Sequence, residues 1–165
     1  MSSAKVTVEA KGDRELVIKR AFNAPKGLVF QAHTECKHLK RWMFGPDGWS
    51  LAVCEIDLKV GGGYRYVWKK DAIEMGAGGE YREVARPERL VCTEKFDDPW
   101  YPGEALATIT LDEADGVTTL TNTVRYESKE ARDTVLQSPM EEGLSLGYDR
   151  LESLLEESAA AAGGE

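Results

Sequence analysis

Residues that carry metal, redox or nucleophilic chemistry are scarce in this chain: 3 Cys and 2 His in 165 residues. Cys36, Cys54 and Cys92 are an odd count with no paired spacing. That argues against a disulfide framework and fits a reducing cytoplasm. His33-x-x-Cys36-x-His38 is the only grouping of metal-binding types. His38 falls on a different helical face from His33 and Cys36, and a structural zinc site needs four ligands, so no metal is expected and these residues read as solvent-exposed helix positions. No apolar run approaches the length of a membrane span. The opening MSSAKVTVEAKGD lacks the apolar core of a signal peptide. A basic excess is also missing: 21 Lys and Arg stand against 29 Asp and Glu, a net charge of −8. Nucleic acid is therefore excluded as an expected partner. No Gly-x-Ser-x-Gly elbow is present. Gly61-Gly62-Gly63 has no following Lys-Ser or Lys-Thr and precedes a strand, so it reads as a hairpin turn and not a phosphate loop, and no cofactor is expected.

What is present is an ordinary globular composition, 42% hydrophobic and 30% charged, over a length that suits one domain. Charge is uneven. Residues 1–82 carry 14 basic and 10 acidic side chains, and residues 83–165 carry 7 and 19. Alternation in residues 5–9 and 15–22, around the turn signal Lys11–Arg14, predicts a β-hairpin. Asn23 and Pro25 open a first short helix, and Thr34 caps a second. Short β-prone runs follow at 49–58, 64–70, 79–85, 90–96, 105–111 and 118–126. Their separators, among them 71–76 and 113–116, are too short for parallel crossovers, so the strands are read as an antiparallel meander. Ser128 caps a short helical turn. Ser138-Pro139-Met140-Glu141 is a capping box with Pro at the first helical position. It opens a long helix to about residue 158 with an apolar stripe at Met140, Leu144, Tyr148, Leu151 and Leu155. Residues 159–165 read as a fraying tail. Gly143 and Gly147, beside that stripe, imply a packing or cavity role that offsets their cost.

The expected architecture is α+β: a curved antiparallel sheet around a long C-terminal helix, with two short helices near the N-terminus closing one end. One domain is expected over 1–165, with its core at about 14–156. This order resembles the helix-grip fold of the START and birch-pollen-allergen (SRPBCC) superfamily. The segments Phe22–Phe30, Leu39–Pro46, Glu55–Gly62, Gly79-Glu80-Tyr81, Pro87–Val91, Met140–Gly143 and Tyr148–Leu151 resemble, in order and spacing, the activator of heat-shock-protein-90 ATPase homologue-like branch. Met43-Phe44 departs from it, where the family commonly has a second Trp and then Gly. The resemblance implies a small apolar ligand, or in the eukaryotic namesakes a chaperone partner. Fold alone does not decide between them.

The aromatics Trp42, Phe44, Trp49, Tyr64, Tyr66, Trp68 and Tyr81 fall on the sheet and its lid. Tyr64, Tyr66 and Trp68 share one strand face. They either line an apolar pocket, together with Met140, Leu144 and Tyr148 from the helix, or fill a solid core. Glu94 shares a strand face with Leu90, Cys92 and Phe96. Turned inward it would have a raised pKa and serve as a polar anchor or as an acid or base. The alternatives are a bulge that turns it outward, or pairing with Arg20 or Arg65. Asn122, between Leu120 and Val124, is placed to orient a ligand carbonyl or to satisfy Glu94. Cys54 and Cys92 read as buried packing residues and Cys36 as the accessible thiol. Trp100-Tyr101, in the turn 97–103, either packs on its own chain, guards a cavity mouth or meets a second copy. The candidate partners are thus a small apolar or aromatic ligand, a chaperone and a homodimer mate. The candidate activities are ligand binding, protein binding, and a cyclase- or hydrolase-like reaction using Glu94.

Overall fold

The first hairpin pairs β1 (Thr7–Lys11) with β2 (Glu15–Phe22). In β2, Leu16, Ile18, Arg20 and Phe22 alternate with exposed or half-exposed residues, so one face is buried. Two helices follow, α1 (Lys26–Thr34) and α2 (Cys36–Trp42). Six strands then run as β3 (Ser50–Ile56), β4 (Gly63–Lys70), β5 (Ile73–Ala85), β6 (Arg89–Phe96), β7 (Ala105–Ala114) and β8 (Val117–Arg125). The chain ends in α3 (Lys129–Leu136) and α4 (Met140–Gly163). The structure, a computed structural model, describes residues 4–163. The first three residues of the opening segment and the last two of the expected tail lie outside the described residues.

All neighbouring strands are antiparallel, in the order β1-β2-β8-β7-β6-β5-β4-β3. The α1–α2 segment carries the chain from β2 to the far edge at β3. The long α4 lies over the concave face. Tyr148, Leu151, Leu154 and Leu155 are buried there, and Tyr148 meets Phe22 edge-on at 5.6 Å. A buried ion pair fixes that contact. Arg20 of β2 reaches Asp149 at 3.0 Å and Glu152 at 3.3 Å. Glu152 also accepts the Asn23 backbone N–H at 3.2 Å. The Phe22 end of the sheet is closed by the start of α1, where the Thr118 hydroxyl donates to the Ala24 carbonyl at 2.6 Å. This is the expected helix-grip arrangement.

Several local expectations are corrected. Pro25, not Asn23, precedes α1 as its cap, and Thr34 ends α1 with its hydroxyl donating to the Phe30 carbonyl at 2.9 Å. Ser128 does cap α3, accepting the Ala131 N–H at 3.0 Å. Ser138 instead serves the end of α3, donating to the Val135 carbonyl. The expected separator 71–76 is only a tight turn at Asp71-Ala72, with Asp71 at φ +53°. Ile73 to Gly76 are already strand and pair with β4. Gly76, the glycine of that separator, serves close approach instead: a Cβ on it would run into the Asp97 carboxylate and the Arg65 guanidinium. Helix α4 continues through residues 159–163 instead of fraying.

The largest correction concerns cysteine. Cys36 at the start of α2 and Cys54 in β3 form a disulfide, with Cα atoms 5.8 Å apart. The crossover lays α2 along edge strand β3 and brings together thiols 18 residues apart in sequence. Cysteine usage therefore no longer supports a reducing compartment. Cys36 is not a free thiol and Cys54 is not inert packing. Cys92 alone stays reduced, and burial pushes its thiol up to about 12. His33 is corrected too. Its Nδ1 lies 2.8 Å from the Val29 carbonyl, its ring meets Trp42 edge-on at 5.0 Å, and burial lowers its pKa. It packs against the core rather than facing solvent.

Candidate functional site

Strand alternation and register place Tyr64, Tyr66 and Trp68 of β4, Tyr81 of β5, Cys92, Glu94 and Phe96 of β6, and Asn122 of β8 on the concave face. The aromatics of β4 and β5 form a ladder. Ring centroids are 5.5 Å apart for Tyr81–Tyr64, 4.9 Å for Tyr64–Tyr66 and 5.8 Å for Tyr66–Trp68. Such tilted and edge-on pairs are the favoured aromatic geometries. Tyr64 donates to the Thr93 carbonyl at 2.6 Å, and Trp68 Nε1 donates to the Met43 carbonyl at 2.9 Å. Burial raises the pKa of all three tyrosines, so they stay neutral phenols.

Glu94 faces inward. Neither Arg20 nor Arg65 pairs with it: Arg20 is taken by α4, and Arg65 forms a two-pronged pair with Asp97 on the outer face. Its partner is Tyr101, whose hydroxyl donates to Glu94 Oε1 at 3.1 Å. Burial raises the Glu94 pKa, and the Tyr101 hydrogen bond opposes that rise. Asn122, level with Ile18 and Ile109 in the register, has a buried Oδ1 without a hydrogen-bond partner among the described residues. It does not satisfy Glu94. An unpaired buried acceptor costs roughly 1–3 kcal/mol.

The other expected wall residues separate from this group. Trp42 and Tyr148 are nearly sealed, with stacked rings 5.9 Å apart, and Trp42 Nε1 donates to the Ala32 carbonyl at 2.9 Å. They are a packing plug. Phe44 lies under the Arg150 guanidinium at 3.9 Å, and Trp49 packs by Gly45. Both hold the loop after α2. Met140 and Leu144 are only partly buried, because the first turns of α4 stand clear of the sheet.

A cavity of about 540 Å3 opens at that end, between the β4–β5 hairpin (Ile73, Met75), Phe96 and Trp100, and the α3–α4 junction (Pro139, Met140). Of these residues the sequence points to Met140, and to Trp100 for the mouth. Phe96 stands in phase with Glu94 on its strand, and Ile73 and Met75 fall in the expected separator. The signal for Ile73 and Met75 is the alternation of β5 extended back through its glycines. Trp100 and Tyr101 take different roles. Tyr101 is buried beside Glu94, and Trp100 is 44% exposed at the mouth.

A long helix gripped by a curved antiparallel sheet, with a cavity at their open end, defines a helix-grip α+β protein. The chain belongs to the family described as activator of Hsp90 ATPase homolog 1-like protein, whose model matches residues 23–156. No curated protein matches the chain. Among solved structures, a Rhodobacter sphaeroides protein is 29% identical with a TM-score of 0.87, covering 92% of this chain and 98% of its own. A Mycobacterium smegmatis protein is 28% identical with a TM-score of 0.79, covering 91% and 96%. A Plasmodium falciparum protein described as an HSP90 activator is 24% identical with a TM-score of 0.54, covering 68% and 72%, a likeness of fold alone.

Proposed function

We propose that the chain binds a small, mostly apolar molecule between the sheet and α4. The observation that carries this reading is the cavity of about 540 Å3, lined by Phe96, Trp100, Pro139 and Met140. Its size is that of pockets for small organic ligands, and its walls are of the type those pockets use. Behind Phe96 lie the partly buried Tyr66 and Glu94. They do not line the cavity wall, and are the polar groups that a ligand reaching past Phe96 would meet. Affinity would come from buried apolar area, at roughly 25 cal/mol per Å2 before losses. The test is native mass spectrometry of the protein after exposure to lipid and aromatic extracts. A retained small mass is expected, weakened by Trp100→Ala. No retained mass across a broad panel would remove the reading.

The exposure of Ile73 (59%), Met75 (45%) and Trp100 (44%) around the mouth favours a second reading, contact with a chaperone partner. Its check is stimulation of an Hsp90-type ATPase by this chain, reduced by Trp100→Ala.

A further inference from the structure

The cavity described above has an unusual electrostatic character for an apolar pocket. Among the described residues no Lys or Arg lines its mouth, while Glu74 and Asp98 do. Lys69 reaches Glu74 at 3.6 Å from outside. Asp98 takes part in no ion pair among the described residues. Glu141 and Glu142 follow in the first turn of α4. Two residues inward from Phe96, on the same strand face, lies the Glu94 carboxyl. Among the described residues its hydrogen-bond partner is the Tyr101 hydroxyl.

The titratable groups around Glu94 are uncharged from every side. They are Tyr64 and Tyr66 on β4, Cys92 on its own strand, Tyr101 in the β6–β7 connection and Tyr126 after β8. Tyr101 and Tyr126 meet edge-on at 5.3 Å, and Phe96 meets Tyr101 at 6.1 Å. A carboxyl ringed by aromatic faces, with no protein cation, lacks the partner that would favour its ionised form. A ligand ammonium supplies that charge, and the ring faces add cation–π attraction.

Building on the cavity reading, we infer that the ligand is a lipophilic amine: its apolar body fills the space behind Phe96 and Trp100, and its protonated nitrogen pairs with Glu94. The acidic mouth attracts such a cation and repels a fatty carboxylate, which finds no Lys or Arg inside. Burial raises the Glu94 pKa, and a neighbouring ammonium opposes that rise by favouring the carboxylate. The ammonium stays protonated on binding and pairs with the ionised carboxylate; any proton that Glu94 holds in the free protein leaves to solvent.

Calorimetry with n-octylamine, 1-octanol and octanoate at pH 7 tests this. The amine is expected to bind at least tenfold tighter than the alcohol, and octanoate weakest. The amine's preference over the alcohol is expected to weaken as pH falls and Glu94 takes up a proton, and to be insensitive to pH in Glu94→Gln. Glu94→Gln should weaken the amine tenfold or more and leave octanol within about twofold. Tyr101→Phe keeps the ring but removes the hydrogen bond that favours the ionised carboxyl, and should weaken the amine a few-fold. Equal binding of amine and alcohol overturns the amine assignment and leaves the cavity reading standing. Octanoate binding tightest also overturns it. Failure of all three to bind overturns both.

Discussion

Glu94 shows how a single side chain can work against the fold that holds it. Its carboxyl sits on the concave face, with one hydroxyl as partner and burial raising its pKa. Between the ordinary carboxylate pKa and that raised value, the folded chain keeps a proton that the unfolded chain has lost. More protons on the native state mean that stability falls as pH rises through this window. The raised pKa is therefore a destabilising contribution at neutral pH that vanishes below the ordinary carboxylate value. Glu94→Gln has no charge to desolvate and still offers an oxygen to Tyr101. It is expected to raise stability in urea melts at pH 7, with the gain shrinking toward zero near pH 4. An equal gain at both pH values would show that packing, and not ionisation, is responsible. A proton-holding carboxyl that costs stability is the kind of compromise made at binding sites.

At the scale of elements, α4 divides into two parts. From Tyr148 onward it is anchored by Leu151, Leu154, Leu155 and the Arg20–Glu152 pair. Before Tyr148 its residues are exposed or half-exposed. The two glycines in this region differ. A Cβ on Gly147 would meet Trp42 at 3.7 Å, an ordinary contact, whereas a Cβ on Gly143 would meet nothing within 4 Å. No packing reason holds Gly143, so Gly143→Ala is expected to stabilise by about 1 kcal/mol through helix propensity alone, read as a rise of a few degrees in thermal melts. The helix stripe shows what periodicity can and cannot reveal. Spacing correctly grouped Met140, Leu144, Tyr148, Leu151 and Leu155 on one side. It carried no information on how far α4 diverges from the sheet, so it did not distinguish sealed Tyr148 from half-open Met140. The same holds for the aromatics. Alternation put Tyr64, Tyr66 and Trp68 on one face, and Glu94 in phase with Phe96, because strand period is a local property. That Trp42 closes onto Tyr148, and Phe44 under Arg150, depends on contacts between elements about a hundred residues apart.

For the whole molecule, the α1–α2 crossover must span the concave side to deliver the chain to β3, an edge strand paired only with β4. Hydrogen bonds hold one side of β3, and the Cys36–Cys54 disulfide ties the crossover to it. Nothing local in the sequence announces this bond, since it joins a helix to a strand across an irregular loop. A cross-link closing a loop of 18 residues removes conformations from the unfolded chain worth about 3 kcal/mol. A Cys36→Ser/Cys54→Ser double variant, or the reduced wild type, is expected to lose about that much in urea melts. Cys92→Ser keeps the disulfide and should lose as much on reduction as the wild type, whereas the double variant should not respond to reduction. Hydrogen exchange gives the loss a location. Amides of α2 should exchange faster once the bond is broken, because it fastens α2 to the strand beside it. The exposed first turns of α4, which the bond does not touch, should keep their rates. Faster exchange spread evenly over both helices would mean that the disulfide stabilises the fold only globally and does not fasten the crossover to its edge.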